Sequence, residues 1–423
     1  MSKFTEKLKL VFGDEDLRKR IFFVLGCFAL FRLLAAIPIP GVNSLMLQSF
    51  LQNNQFLGLL NIFSGGGLST LSIVMMGVGP FITSSIIMQL LTIMSPKLKA
   101  LYQEEGEAGR RKFAQYSRLL TVPLAIIQAY GFLILLERQG IIPGLTNFQL
   151  VVNLFVATAG SILLMWIGEL INEFGVGNGV SLLIFAGILA RLPASTGQLA
   201  FAFDATQLPL YAAFLVAALV VIFGVVIVTE AERPIPVTYA KRVRGNKVYG
   251  GVSTYLPLRL NQAGVIPIIF ALSILLFPQM IFNFLTASTN SLLASIAQHG
   301  VAILNNSWLY AAIYFVLVFI FTFFYTAITF DPEQVATNLQ KNGAFVPGVR
   351  PGLSTSEYLA DKLTKLTIFG AIFLGLIAVL PLVMRAVTGI TSLAIGGTAL
   401  LIVVQVIVDL IKRIDAQVSI REY

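Results

Sequence analysis

The 423-residue chain is 57% apolar, only 12% charged and carries a net charge of +9, with a mean hydropathy of +0.86. That balance excludes a soluble globular domain and fits a polytopic membrane protein. A single cysteine, Cys27, and a single histidine, His299, exclude an internal disulfide framework, a cysteine cluster and a histidine-based metal site.

Crossing the hydrocarbon core takes about 20 apolar residues as a helix, and only helices and closed barrels satisfy their own backbone polar groups there. The long continuous apolar runs are not the alternating strands of a barrel. The sequence predicts an all-α polytopic membrane protein with ten spans, at 21–37, 73–95, 117–136, 151–171, 180–192, 209–229, 262–285, 308–329, 366–384 and 390–412. The first run starts near Ile21 without a small-residue cleavage pattern and reads as a retained span, not a signal peptide. From 33 to 96, 64 residues pass without an Asp, Glu, Lys or Arg, too many for one span. Near the middle lies Asn61-Ile-Phe-Ser-Gly-Gly-Gly-Leu-Ser-Thr-Leu-Ser72, a weak helix former that something must shelter. The fifth span is short and follows Gly175-Val-Gly-Asn-Gly179, a tight turn. Tilt or extension into Arg191-Leu-Pro193 is expected to complete it.

Basic residues give the orientation. Lys3, Lys7, Lys9, Arg18, Lys19 and Arg20 precede span one; Lys97, Lys99, Arg110, Arg111, Lys112 and Arg118 follow span two. Arg233, Lys241, Arg242, Arg244, Lys247 and Arg259 follow span six; Lys341, Arg350, Lys362 and Lys365 follow span eight; Lys412, Arg413 and Arg421 follow span ten. One face thus holds 25 of the 29 Lys and Arg residues. The other has Arg138, Arg191 and Arg385, and Arg32 lies inside span one, near its outer end where snorkelling is cheap. The positive-inside rule places both termini in the cytoplasm. Two long cytoplasmic loops, 230–261 and 330–365, are basic and rich in Pro and Gly, and loops this long are usually functional. Anionic lipid could account for their charge, but a docking surface for a cytoplasmic partner suits their composition better. Were that partner a ribosome, the basic residues would meet RNA phosphates and binding would weaken with salt.

The spans lack the mid-membrane charges of a pump or ion-driven transporter. Glu169, Glu173, Glu230, Glu232 and Asp409 all fall near span ends, and no hydrolase, zinc-protease or nucleotide-binding motif is present. Nothing supports an enzyme, and no cofactor is expected. Span two instead reads Gly79-Pro-Phe-Ile82-Thr-Ser-Ser-Ile86-Ile-Met-Gln89. It puts Ile82 and Ile86 on one face, with Thr83, Ser84 and Ser85 able to bond their own helix backbone.

Several blocks taken in order resemble the SecY family, the channel subunits of the bacterial Sec protein translocase. They are Pro80-Phe-Ile-Thr-Ser-Ser-Ile-Ile-Met-Gln-Leu-Leu91, Glu105-Gly-Glu-Ala-Gly-Arg-Arg-Lys112, Gly175-Val-Gly-Asn-Gly-Val-Ser-Leu-Leu-Ile-Phe185 and Ser253-Thr-Tyr-Leu-Pro-Leu-Arg-Leu-Asn-Gln-Ala-Gly-Val-Ile-Pro267. Asn338-Leu-Gln-Lys-Asn-Gly-Ala-Phe-Val-Pro-Gly-Val-Arg-Pro-Gly352 and Gly396-Gly-Thr-Ala-Leu-Leu-Ile-Val-Val404 complete the set. The resemblance implies two pseudo-symmetric five-helix halves, 1–192 and 193–423, around an hourglass pore. It implies an apolar ring at the waist of Ile82, Ile86, Val180, Ile184, Ile269 and Ile402, with Val180 in place of the more usual isoleucine. A narrow apolar constriction resists wetting.

The same resemblance makes 61–72 (Asn61, Ile62, Phe63, Ser64, Gly65, Gly66, Gly67, Leu68, Ser69, Thr70, Leu71 and Ser72) the plug, a short helix in the outer funnel. Gln89, Gln128, Ser273 and Thr322 become candidates for a lateral gate between spans two and three and spans seven and eight. Arg242, Arg244, Lys247 and Arg350 become docking residues for the SecA motor ATPase and the ribosome, with ribosomal RNA contact through the basic loops. Implied partners are SecE and SecG, signal peptides, nascent chains and membrane lipid. The implied function is passage of unfolded secretory chains across the bacterial plasma membrane, and of transmembrane segments sideways into it. Two alternatives stay open at this point: a small-molecule secondary transporter, disfavoured by the missing coupling charges, and a structural scaffold.

Overall fold

The computed structural model describes residues 13–39, 47, 61, 64–138, 140–142, 144–190, 193, 197, 208–240, 242–244, 247–249, 253–285, 291–388 and 391–421. Ile62 and Phe63 of the expected plug lie outside these, as do Lys3, Lys7, Lys9, Arg191 and Lys241 of the charge pattern. The described residues divide into two compact units, 1–212 with 273–306 and 390–423, and 213–272 with 307–389.

In the first unit, α1 (Glu15–Ala35) starts where the Asp14 carboxylate accepts from the backbone N–H of Asp16 and Leu17, a side-chain cap for otherwise orphaned donors. The second predicted span begins later than expected. Residues 73–78 form turns, with Gly77 at φ 60°, and the helix α2 runs only over Gly79–Met94, with proline in its first turn. It meets α3 (Pro96–Gln103) at a bend of 114°, because Pro96 cannot continue the α2 ladder. Then come α4 (Gly106–Arg138), α5 (Asn147–Phe174) and α6 (Gly179–Leu189). A capping box of Thr146 and Gln149 opens α5. The Asn178 side chain accepts from Ser181 N–H at 3.1 Å to open α6. The turn before α6 is as tight as predicted, with Gly177 at φ 98°. α6 ends at Leu189 with Ala190 as its C-cap, and the expected extension falls on Arg191 and Leu192, which lie outside the described residues.

The second unit holds α7 (Leu208–Glu230) from Ala213 onward and both long basic loops, 230–261 and 330–365. Those loops carry strands that the sequence reading left as irregular. β1 (Glu232–Tyr239) pairs antiparallel with β4 (Ser253–Arg259), Ile235 opposite Leu256 and Val237 opposite Thr254. Between them, β2 (Arg242–Arg244) and β3 (Lys247–Tyr249) form a separate two-stranded ribbon. After α8 (Ile266–Leu285), α9 (Ser291–Asn305), α10 (Ser307–Thr329) and α11 (Pro332–Lys341), β5 (Ala344–Phe345) returns to the free edge of β1. Pro234 and Pro236 are tolerated in the middle strand because β5 pairs only with Thr238 and Tyr239. The alternating Ile235 and Val237 bury against Leu258, Ala344, Val346 and Leu359. The two long loops are therefore parts of one small folded body. α12 (Leu353–Thr388) leads from it, and α13 (Thr391–Arg421) completes the first unit.

Each of the ten predicted spans overlaps a described helix, though span two loses 73–78 to turns. Among the described residues, four helices are long and apolar enough to cross a membrane by themselves, or five with the bent α2–α3 pair counted as one span, while α6 has only 11 residues.

Candidate functional site

Five of the six expected ring residues belong to the first unit. α2 packs on α4 and α5, and α6 packs on α1, α5 and α13. Ile82, Ile86, Ile184 and Ile402 are each no more than 6% exposed, whereas Val180 at the start of α6 is partly open. Ile269, also buried, stands on α8 in the second unit.

The segment meant to seal this region does not form the expected helix. Residues 64–78 run through consecutive turns, with Gly65 at φ 63°, Gly66 at φ 87° and even Leu71 at φ 43°. Three successive glycines make left-handed backbone cheap there and helix costly. The turns satisfy themselves: Ser69 N–H donates to Asn61 Oδ1 at 3.1 Å, and Leu68 N–H to Ser64 Oγ at 3.1 Å. Leu68, Leu71 and Met75 bury fully against Ala129, Leu133 and Leu136 of α4 and Ala157 of α5. The shelter demanded by the charge-free sequence is thus supplied by the protein's own helices.

The segment is also tied to the end of α1. Ile39 N–H donates to Leu71 O at 2.8 Å, Ile73 N–H to Ile37 O at 3.0 Å, and Thr70 Oγ1 to Ala35 O at 2.9 Å. Backbone meets backbone at two glycines. A Cβ at Gly187 of α6 would lie 2.1 Å from Gly65 Cα, and one at Gly160 of α5 would lie 2.1 Å from Ile73 O. Arg32 acquires a specific role here instead of simple snorkelling. Its Nη1 donates to Gly65 O at 3.0 Å, 33 residues away. Periodicity carries no signal for that pairing; only the oddity of a charge inside a span marked the residue. Arg32→Gln is expected to cost about 1 kcal/mol of seating, roughly a fivefold shift. More ready proteolysis or cysteine labelling within 64–72 would register it, and unchanged protection would remove Arg32 from the seal.

Of the lateral-gate candidates, Gln89 on α2 and Gln128 on α4 lie on helices that pack together. Gln89 Oε1 is buried without a hydrogen-bond partner among the described residues. Thr83 bonds its own helix as expected, to Gly79 O at 3.0 Å, but Ser84 does not: its Oγ donates across to Ser117 O of α4 at 2.5 Å. Thr121 Oγ1 donates to the same carbonyl at 2.8 Å. Only the Ser84 hydroxyl stitches α2 to α4, Thr121 bonding back within its own helix, and that pairing needs the fold to be seen. Ser273 is buried on α8, and Thr322 spends its hydroxyl on Val318 O of α10 at 2.7 Å.

In the second unit, the exposed Arg350 sits on a turn flanked by Gly348 (φ 82°) and Gly352 (φ 96°). Val346 and Val349 fasten that turn to the sheet core, and Thr355 Oγ1 donates to Arg350 O at 2.8 Å. Arg242, Arg244 and Lys247 lie on the β2–β3 ribbon, with Arg244 opposite Lys247. Among the described residues, no group of His, Cys, Asp and Glu could hold a metal ion.

The SecY family profile matches residues 72–411. The chain is 41% identical to the protein translocase subunit SecY of Mycobacterium tuberculosis over 455 residues, covering 100% of this chain and 99% of that protein. A solved structure described as that of a protein conducting channel superposes with TM-score 0.66 at 17% identity, covering 95% of this chain and 92% of that one. A chain of a canine ribosome-channel complex from the endoplasmic reticulum gives TM-score 0.63 at 16% identity, with 95% and 92% covered. The two structures speak for the fold; the relative, aligned from end to end, speaks for the family.

Proposed function

The chain belongs to the SecY family, and on that premise we propose how its residues divide the labour of a protein-conducting channel. It is a channel subunit of a protein translocase, moving polypeptides through and into a membrane, and not a small-molecule transporter. The finer assignments are carried over by resemblance, with the burial of the ring isoleucines in support. Ile82, Ile86, Val180, Ile184, Ile269 and Ile402 form the apolar waist, and residues 61–72 are the plug beyond it. Branched apolar side chains close around a passing chain without binding its polar backbone, and an idle apolar constriction resists water and ions. Gln89, Gln128, Ser273 and Thr322 belong to the lateral gate. The protein spans the bacterial plasma membrane ten times, in two halves meeting near residue 192, with both termini in the cytoplasm. It works with SecE and SecG, takes its push from SecA or the ribosome, and receives signal peptides and nascent chains.

The observation that carries this reading is the set of four ring isoleucines buried in the same unit as the glycine-rich segment. Its test is conductance. Proteoliposomes of the purified complex carrying Ile82→Asn or Ile402→Asn are expected to leak ions several-fold more than wild type, because an amide at the constriction supports water. The same variants should pass substrates with defective signal sequences. Unchanged conductance together with unchanged stringency would sink the ring assignment. Co-purification in mild detergent tests the partners: a small one- to three-span subunit of the SecE kind should accompany the chain.

A further inference from the structure

Between Arg259 and Asp331 no residue is Asp, Glu, Lys or Arg, and this stretch contains a helix with no part in the channel reading, α9. Its 15 residues are too few to span, since a crossing takes about 20. One side is fixed to the protein: Ala297 is fully buried, and Gly300 faces Phe282 so closely that a Cβ would lie 2.7 Å from the ring. Phe282 is in the last turn of α8, so α9 folds back on the C-terminal end of a predicted span, the end opposite the one that follows β4 in the chain. Leu292, Ile296 and Ile303 follow i, i+4, i+11 and make one stripe beside the anchored face, with His299 at its edge toward Ser295, whose backbone oxygen its Nδ1 meets at 2.8 Å. Leu292 is 73%, Ile296 62% and Ile303 48% exposed. Ser295 and Gln298 lie around the helix from it, also exposed.

We propose that α9 lies in the plane of the membrane at the non-cytoplasmic surface, with Leu292, Ile296 and Ile303 immersed among lipid acyl chains and Ser295 and Gln298 in water. The inference rests on reading α8 and α10 as spans. Three observations favour lipid over a protein partner. First, the anchoring at Phe282 puts the helix at the depth where α8 leaves the hydrocarbon. Second, a single residue, Asn306, joins it to α10, whose second residue, Trp308, is 63% exposed, and tryptophan at a span end settles at headgroup level. Third, protein interfaces carry a polar, often charged rim, and this stretch has no charge to supply one. For the same reason the attraction is by apolar area alone, not by anionic headgroups.

The test places single-cysteine fluorescent reporters in a Cys27→Ser background of the full chain at Ile296, Ile303, Ser295 and Gln298, with Val316 of α10 as a span control. Vesicles are phosphatidylcholine alone or mixed with phosphatidylglycerol. Reporters at Ile296 and Ile303 should lose most of their emission to headgroup-proximal nitroxide lipids and little to aqueous iodide, equally in both vesicles. Ser295 and Gln298 reporters should show the reverse. Iodide quenching at all four positions overturns the proposal, as does protection of Ile296 and Ile303 from both quenchers, which would mean a protein cover. Immersion only with phosphatidylglycerol overturns the charge-independent mechanism proposed. A Val316 reporter quenched by lipid while the others fail leaves the channel reading standing; a Val316 reporter in water removes both.

Discussion

Gly187→Leu is expected to raise the ion leak of idle proteoliposomes by roughly 10- to 100-fold. At this position α6 touches the glycine-rich segment through backbone on both sides, and a Cβ would stand 2.1 Å from Gly65 Cα. Neither side can swing away as a long side chain does, so the segment must shift. Overpacking of this kind costs about 1–3 kcal/mol, which is roughly 5- to 150-fold in the balance between seated and unseated states. Gly187→Ala, adding only the Cβ, should give an intermediate leak. Gly26→Ala is the matched control, because nothing lies within 4 Å of a Cβ there. A Gly187→Leu leak no larger than the Gly26→Ala leak would mean that 64–78 does not seal the channel, whatever its packing. The Gly65 side is a less clean lever: a Cβ there meets the tip of the buried Phe31 ring, and its φ of 63° strains any substitution by itself.

What the sequence makes legible, and what it hides, follows from the range of the interactions involved. Helix existence is a local property here: long apolar runs with caps such as Asp14 and Thr146 announce themselves, and the charge census sorts their ends. Span two was placed too early at its start because apolarity continues through 73–78, where Gly77 at φ 60° breaks the helical path, and the helix opens only at Gly79 with Pro80 in its first turn. The three-stranded sheet escaped because its cues conflict. Pro234, Pro236 and Pro257 argue against strands, and only pairing with a partner more than 100 residues away, at Ala344 and Phe345, completes the sheet. The Arg32 bond to Gly65 and the Ser84 bond to Ser117 each join residues 33 apart, and no periodicity encodes such pairs. The ring assignments came from resemblance. Burial of Ile82, Ile86, Ile184 and Ile402 is what a closed waist requires, although an ordinary packed core requires it equally, so conductance must decide.

Arg350→Glu should abolish SecA-driven translocation while leaving insertion of the channel and its idle conductance at wild-type levels. The turn that carries Arg350 is held by groups the substitution does not touch: Val346 and Val349 in the sheet core, and the Thr355 hydroxyl on the Arg350 backbone oxygen. None of the described ion pairs involves Arg350, so among the described residues no ion-pair partner is stranded by its loss. The change therefore acts on a docking partner or on nothing. A central arginine in a docking surface contributes about 2 kcal/mol or more, roughly 30-fold in affinity, and reversed charge adds repulsion where the partner is acidic. Arg350→Lys should recover part of the binding, keeping the charge but losing the planar fork. Binding through this turn should also weaken as salt rises, since exposed charges are screened within about 8 Å at physiological ionic strength. SecA affinity measured on reconstituted vesicles across a salt series separates the outcomes. Normal translocation and an unchanged salt dependence in Arg350→Glu would move the docking role off this turn and onto the β2–β3 ribbon, where Arg242, Arg244 and Lys247 are the residues to reverse next.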